Sequence, residues 1–162
     1  MLAVTGVPTP EQVEKAFPCQ ERLNEGPVVV VECYQSIPCN PCYTACKTGA
    51  IKEFEDINDL PSVDHSLCNG CSLCVSNCPG LAIMVVDNTY SEEEALVKLP
   101  YEFLPLPAVG EVVKGLDRAG NEVCEAKVVK VQNSKALDKT PIVSIAVKKE
   151  FMKQVRNIRM EG

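Results

Sequence analysis

Seven of the ten cysteines in this 162-residue chain fall into two short groups. Cys39, Cys42 and Cys46 form the first, and Cys68, Cys71, Cys74 and Cys78 form the second. Thiols two or three residues apart on a short turn converge on one point in space, which favours a metal over pairwise disulfides. The chain start, MLAVTGVPTPEQ, lacks a charged region followed by a long apolar run, so no signal peptide is read there and a cytoplasmic location is expected. In a reducing compartment, clustered thiols point to metal rather than to a disulfide scaffold.

The two groups belong to an internal repeat. Residues 39–51 (CNPCYTACKTGAI) align with residues 71–83 (CSLCVSNCPGLAI) at an offset of 32, matching Ala50 to Ala82 and Ile51 to Ile83 as well as the cysteines. Each unit reads as a strand, a cysteine loop, one helical turn and a strand, at residues 51–55 and 83–87. Two such halves bury little apolar surface alone, so metal clusters are expected to supply much of the core.

The run Cys68-x2-Cys71-x2-Cys74-x3-Cys78-Pro79 is the complete signature of bacterial ferredoxins, in which the fourth cysteine ligates the other cluster of a pair. Three thiolates on a curled loop reach three corners of one iron–sulfur cube. The fourth lies past a helical turn and faces the partner cube, and Pro79 stops the helix. Structural zinc sites instead separate two C-x2-C pairs by a longer loop.

The first half departs from this pattern. The offset puts Ser36 where a first cysteine belongs and Lys47 where the proline belongs, while Cys33 stands three residues before Ser36. Cys33 is read as the replacement ligand, with residues 35–38 absorbing the extra loop. The alternatives are a three-iron (3Fe-4S) first site with Cys33 as a buried strand residue, or Ser36 as an oxygen ligand. The expected assignment crosses over. One 4Fe-4S cluster takes Cys33, Cys39, Cys42 and Cys78, and the other takes Cys68, Cys71, Cys74 and Cys46.

Other candidates are few. His65 is the only histidine, which excludes Rieske and Cys2His2 sites; it is read as a loop side chain or a hydrogen-bond donor to a cluster sulfur. Cys19 and Cys124 stand outside the motifs and are read as structural. No Ser–His or Cys–His pair, phosphate loop, or nicotinamide or flavin fingerprint is present, so the chain is not expected to turn over a substrate alone. A net charge of −6 and 5% aromatic residues argue against nucleic-acid binding. The longest apolar run, residues 28–31, is too short to span a membrane.

Outside the repeat, Thr9-Pro10-Glu11-Gln12 predicts a capped helix that Pro18 ends, and residues 27–33 predict a buried strand. Ser91 through Glu94 read as a second helix start. Pro100, Pro105 and Pro107 mark a linker. Strands are expected at 111–114, 122–131 and 142–147, with a turn at 117–121. From Lys148 a helix is expected, with Phe151, Val155 and Ile158 on one face. That tail carries five basic and two acidic side chains, net +3, leaving −9 on residues 1–147. The fold class is α+β: a ferredoxin-like two-cluster domain with its N-terminal helix over residues 1–99, then a linker and small β-barrel-like module over residues 100–162. That module is expected to dock a partner and to be removable without loss of the clusters.

Residues 68–79 and the degenerate copy before them resemble the two-cluster bacterial ferredoxins over about residues 28–88. The wider string ECYQSIPCNPC, with the tail beginning VGEVVKGLDRAG, resembles the small iron–sulfur subunit of FAD-dependent amino-acid dehydrogenase complexes. Those complexes are related to opine oxidase and hydrogen cyanide synthase and act on proline or similar amines. The resemblance implies FAD-containing partner subunits that perform the chemistry. In that anaerobic oxidoreductase setting, this chain relays their electrons to an acceptor.

Overall fold

The computed structural model describes residues 2–161. Its frame is a single antiparallel sheet of seven strands: β1 (Val28–Val31), β2 (Ile83–Asp87), β3 (Glu94–Pro100), β4 (Val112–Leu116), β5 (Glu122–Gln132), β6 (Ile142–Lys148) and β7 (Asn157–Arg159). The strand order is β1-β2-β3-β6-β5-β4-β7. Five short helices complete it: α1 (Leu2–Thr5), α2 (Pro10–Ala16), α3 (Gln20–Leu23), α4 (Pro41–Ala45) and α5 (Leu73–Asn77).

Period-two alternation gives the sheet two faces. Val28, Val30, Met84, Val86, Ala95, Val97, Leu99, Val143, Ile145 and Val147 point into the larger core, where Phe17, Leu23, Met152 and Val155 meet them. Val29, Ile83, Val85 and Ile142 point the opposite way, into a smaller core with Ile51, Cys74 and Val75. The cysteine loops and the α4–α5 pair therefore lie on the second face, over the β1–β2 end of the sheet. The two helices occupy equivalent positions in the repeat, 32 residues apart.

Several expectations hold in detail. Thr9 caps α2 through a reciprocal box: Gln12 N–H donates to Thr9 Oγ1 at 3.3 Å, and Thr9 N–H donates to Gln12 Oε1 at 2.9 Å. The turn after β4 is tied by Asp117 Oδ1, which accepts from the N–H groups of Ala119 and Asn121, each at 2.9 Å.

Four expectations are corrected. The C-terminal strands do not form a barrel; β1 and β7 end an open sheet, and β6 inserts between β3 and β5. The Ser91 segment is not a helix start. Ser91 Oγ accepts from Glu94 N–H at 2.9 Å, but the chain then extends into β3. A cap contributes about 1 kcal/mol, whereas burying Val97 and Leu99 on a sheet face contributes about 1.5–3 kcal/mol each, so alternation wins. The C-terminal helix is replaced by a 3-10 turn at Lys149–Phe151 and by β7. Val155 and Ile158 still reach the core, but Arg156 N–H donates to Leu116 O at 2.7 Å and Ile158 pairs with Gly115, so the free edge of β4 captures this segment. The strand expected at 51–55 reduces to one bridge, Ile51 with Val63.

The continuous sheet also revises the expectation that residues 108–162 can be removed harmlessly. β6 pairs with β3 from Glu94↔Lys148 to Pro100↔Ile142 and buries Ile142, Val143, Ile145 and Val147. Four such side chains at about 1.5–3 kcal/mol each rival the whole net stability of a typical domain, about 5–15 kcal/mol. A chain truncated after residue 107 is expected to lose cooperative thermal unfolding, as followed by circular dichroism. A sharp transition in that fragment would show that the first three strands fold unaided.

Candidate metal centres

The structure sorts eight of the ten cysteines into two sets of four. Cys33, Cys39, Cys42 and Cys78 line one small cavity of about 30 Å3, with Phe54, Pro79 and Ile83. Cys46, Cys68, Cys71 and Cys74 line a second of about 20 Å3, with Val29, Ile51 and Val85. Each set crosses the repeat, because Cys46 and Cys78 lie past their helical turns, at the C-terminal ends of α4 and α5. Ser36 is exposed and is not in the wall of the first cavity, whereas Cys33 is half-buried there. Lys47 is also exposed.

All eight thiols are unpaired, and several sulfurs already accept hydrogen bonds from the backbone. Cys68 Sγ accepts from Val29 N–H and Gly70 N–H, each at 3.4 Å. Cys46 Sγ accepts from Ile51 N–H, and Cys78 Sγ from Ala82 N–H, both at 3.4 Å. Such donors stabilise the thiolate form that binds metal.

The thiols also perturb one another within each set. Burial, and then the neighbouring Cys78 and Cys39, push the Cys33 thiol up. Burial pushes up Cys42, with Cys78, Cys39 and Cys33 adding to it. Cys74 is pushed up to about 12 by burial, then by Cys68, Cys71 and Cys46. Burial acts upward on Cys46 too, but hydrogen bonds from Ile51, Thr48 and Ala50 bring it down on balance. Thiols held protonated by burial and by like neighbours ionise when a cationic centre arrives, so metal binding releases their protons. Two sets of four soft donors around small voids, with N–H groups aimed at the sulfurs, fit iron–sulfur cubes.

Three arginines support these loops, and none carried a motif in the sequence. Arg22 of α3 donates to the carbonyl oxygens of His65 at 2.8 Å, Cys68 at 2.7 Å, Pro27 at 3.0 Å and Gly26 at 3.2 Å. The contacts to His65 and Cys68 reach 43 and 46 residues along the chain, so no local pattern announces them. Arg118 and Arg156 meet Glu32, the residue before Cys33, and Arg156 donates to Leu81 O, three residues after Cys78. His65 Nε2 is buried and has no hydrogen-bond partner among the described residues. Cys19 precedes α3 and is exposed, and Cys124 packs half-buried beside Gly115 in the larger core.

Surface access differs between the sites. Cys33 also lines a groove of about 570 Å3 with Tyr34, Phe103 and Arg118, and Cys71 is exposed.

Gly70 is the tightest point of the second loop. Its φ is +72°, and a Cβ there would stand 2.6 Å from Pro27 Cβ. Left-handed geometry costs an L-residue about 1–2 kcal/mol, and the overlap adds to that. Gly70→Ala is expected to reduce bound iron by about half, since only the second loop is displaced. Arg22→Ala is expected to weaken the same site, read as faster cluster loss on exposure to a chelator. Unchanged iron content and loss rate in both variants would contradict this account of the loop.

Comparison with known proteins agrees with this chemistry. Residues 61–84 match the family of the 4Fe-4S binding domain. Over 50 residues the chain is 40% identical to the pyruvate synthase subunit PorD of Methanocaldococcus jannaschii, covering 31% of this chain and 56% of that protein. It is 36% identical over 52 residues to the ferredoxin-type protein NapF of Escherichia coli K12, covering 31% of this chain and 32% of NapF. It is 46% identical over 39 residues to the thiosulfate reductase electron transfer subunit PhsB of Salmonella typhi, covering 24% of this chain and 19% of PhsB. The chain thus spans about half or less of the length of these relatives. No solved structure matches it. Among the described residues, no helix is long and apolar enough to cross a membrane. The chain carries a 4Fe-4S ferredoxin-type domain of the kind found in iron–sulfur electron-transfer proteins.

Proposed function

We propose that this chain is the electron-relay subunit of a cytoplasmic, multi-subunit oxidoreductase, with two 4Fe-4S clusters as its cofactors. The observation that carries the reading is the division of eight thiols into two sets of four, each drawn from both halves of the repeat. In this reading Cys33, Cys39, Cys42 and Cys78 hold one cluster, and Cys68, Cys71, Cys74 and Cys46 hold the other. When bound, such clusters accept and release single electrons. The chain's own part is to fix the two sites against one sheet, cover most of the thiols in part, and hydrogen-bond the sulfurs. One thiol of each set near the surface, at the Cys33 groove and at Cys71, offers an entry and an exit.

The names of PorD and PhsB describe subunits of larger enzymes, which supports a partnered role. The resemblance of ECYQSIPCNPC and the following tail to amino-acid dehydrogenase subunits favours FAD-containing polypeptides as the partners.

Iron and acid-labile sulfide on protein purified without oxygen are expected at about eight each per chain. About four would sink the two-cluster reading, about seven would point to a three-iron first site, and a colourless zinc protein would replace it. Cys33→Ala is expected to cost one cluster while Ser36→Ala leaves both; the opposite pattern would transfer the ligand role to Ser36. The native chain is expected to co-purify with a flavoprotein. Its recovery as a free monomer would favour a diffusible ferredoxin.

A further inference from the structure

The two halves of the repeat differ at one backbone position that matters to the first thiol set. Gly49 has φ +76°, and its counterpart 32 residues on, Leu81, has φ +52°. Glycine adopts that region freely, whereas a bulky residue there is an outlier. Both turns lead into a backbone N–H that donates to the sulfur of the preceding cysteine, one register position apart in the repeat. One is followed by Ile51 N–H on Cys46 Sγ, the other by Ala82 N–H on Cys78 Sγ, each at 3.4 Å. The second turn therefore needs something to hold it that the first does not.

Arg156 supplies that hold. Its Nη2 donates to Leu81 O at 2.7 Å, and its Nε stands 3.5 Å from Glu32 Oε2. Arg118 Nε donates to the same carboxylate at 3.0 and 3.1 Å, its Nη2 also bonds Glu32 Oε1, and its Nη1 donates to Lys153 O at 2.7 Å. Glu32 in turn donates its backbone N–H to Ala82 O at 2.8 Å. The side chains of Glu32, Arg118 and Arg156 are 6%, 11% and 15% exposed, so this is a mostly buried group with two positive charges against one negative. It ties the strand entering Cys33 to the turn leaving Cys78, and both arginines come from the part of the chain after the repeat.

We propose that Arg156 is the positioning residue of the first four-thiol site: it holds Leu81 in its left-handed turn and sets the net positive charge of the Glu32–Arg118–Arg156 group beside the cluster held there. The proposal rests on the two-cluster reading above. Positive charge at close range in a poorly solvated site favours the reduced, more negative state of a cluster and raises its potential. An ion group too distant or too well screened for its charge to reach the site would leave the potentials where they are.

The test uses the full-length chain purified without oxygen, with iron analysis and an EPR-monitored redox titration. Wild type is expected to hold about eight irons and to reduce in two one-electron steps. Arg156→Gln is expected to lower the potential of one step, leave the other in place, and lose iron from the first site, up to half the total. Leu81→Gly should relieve the turn, so Leu81→Gly/Arg156→Gln is expected to regain wild-type iron while keeping the lowered potential. Two unmoved steps in the iron-replete double variant, or two steps moving together, overturn this inference alone. About four irons in the wild type overturn the two-cluster reading and this inference with it.

Discussion

The pairing of β3 with β6 joins a short, cysteine-rich sequence repeat to a scaffold large enough to hold it. The β1–β2 hairpin and the two helical turns bury only a small core of their own, in which Cys74 is itself a member. β3 pairs with β2 on one side and β6 on the other, so the strands after the repeat extend the same sheet. The opposite face then gains the larger core, anchored by Phe17, Leu23, Met152 and Val155. Apolar burial on that side is what holds β1 and β2 in place, and those strands in turn fix where the thiol loops begin and end.

The clearest physical contrast in the molecule lies between its two thiol loops. The second follows the ordinary ferredoxin spacing and closes on a glycine, Gly70, packed against Pro27. Arg22 satisfies four carbonyls around it. The first set has Ser36 rather than a cysteine at position 36, has Cys33 in its cavity wall, and has Leu81 where its repeat partner has Gly49. Both departures sit next to the Glu32–Arg118–Arg156 group. A local sequence irregularity and a long-range ionic contact thus occur together, as expected where tertiary structure over-determines a strained backbone.

Most other ion pairs carry less weight. Lys114 with Glu161, Lys153 with Glu14, and Arg159 with Glu122 have one or both partners well exposed. Pairs of that kind contribute about 0–1 kcal/mol. The basic tail is divided among such contacts and the buried group: Arg156 faces Glu32, while Lys153 reaches Glu14 and lies over the Phe17 ring.

The sequence by itself determined the elements whose causes are local. Thr9 and Gln12 announced a capped helix because capping needs only four consecutive residues. Cysteine spacing announced the thiol loops because a short curl leaves few geometries, and the repeat offset placed α4 and α5 in equivalent positions. Alternation announced β4, β5 and β6, and the repeat unit announced β2. Only the tertiary structure decided what depended on partners far along the chain. Ser91 carried a helix-cap pattern, yet the β2 and β6 edges drew the following residues into a strand. Phe151, Val155 and Ile158 had helical spacing, yet the open edge of β4 took residues 157–159 as a strand. The same holds for Arg22, Arg118 and Arg156: each meets carbonyls or a carboxylate many residues away, and a side chain's distant partner leaves no periodic trace in the sequence around it.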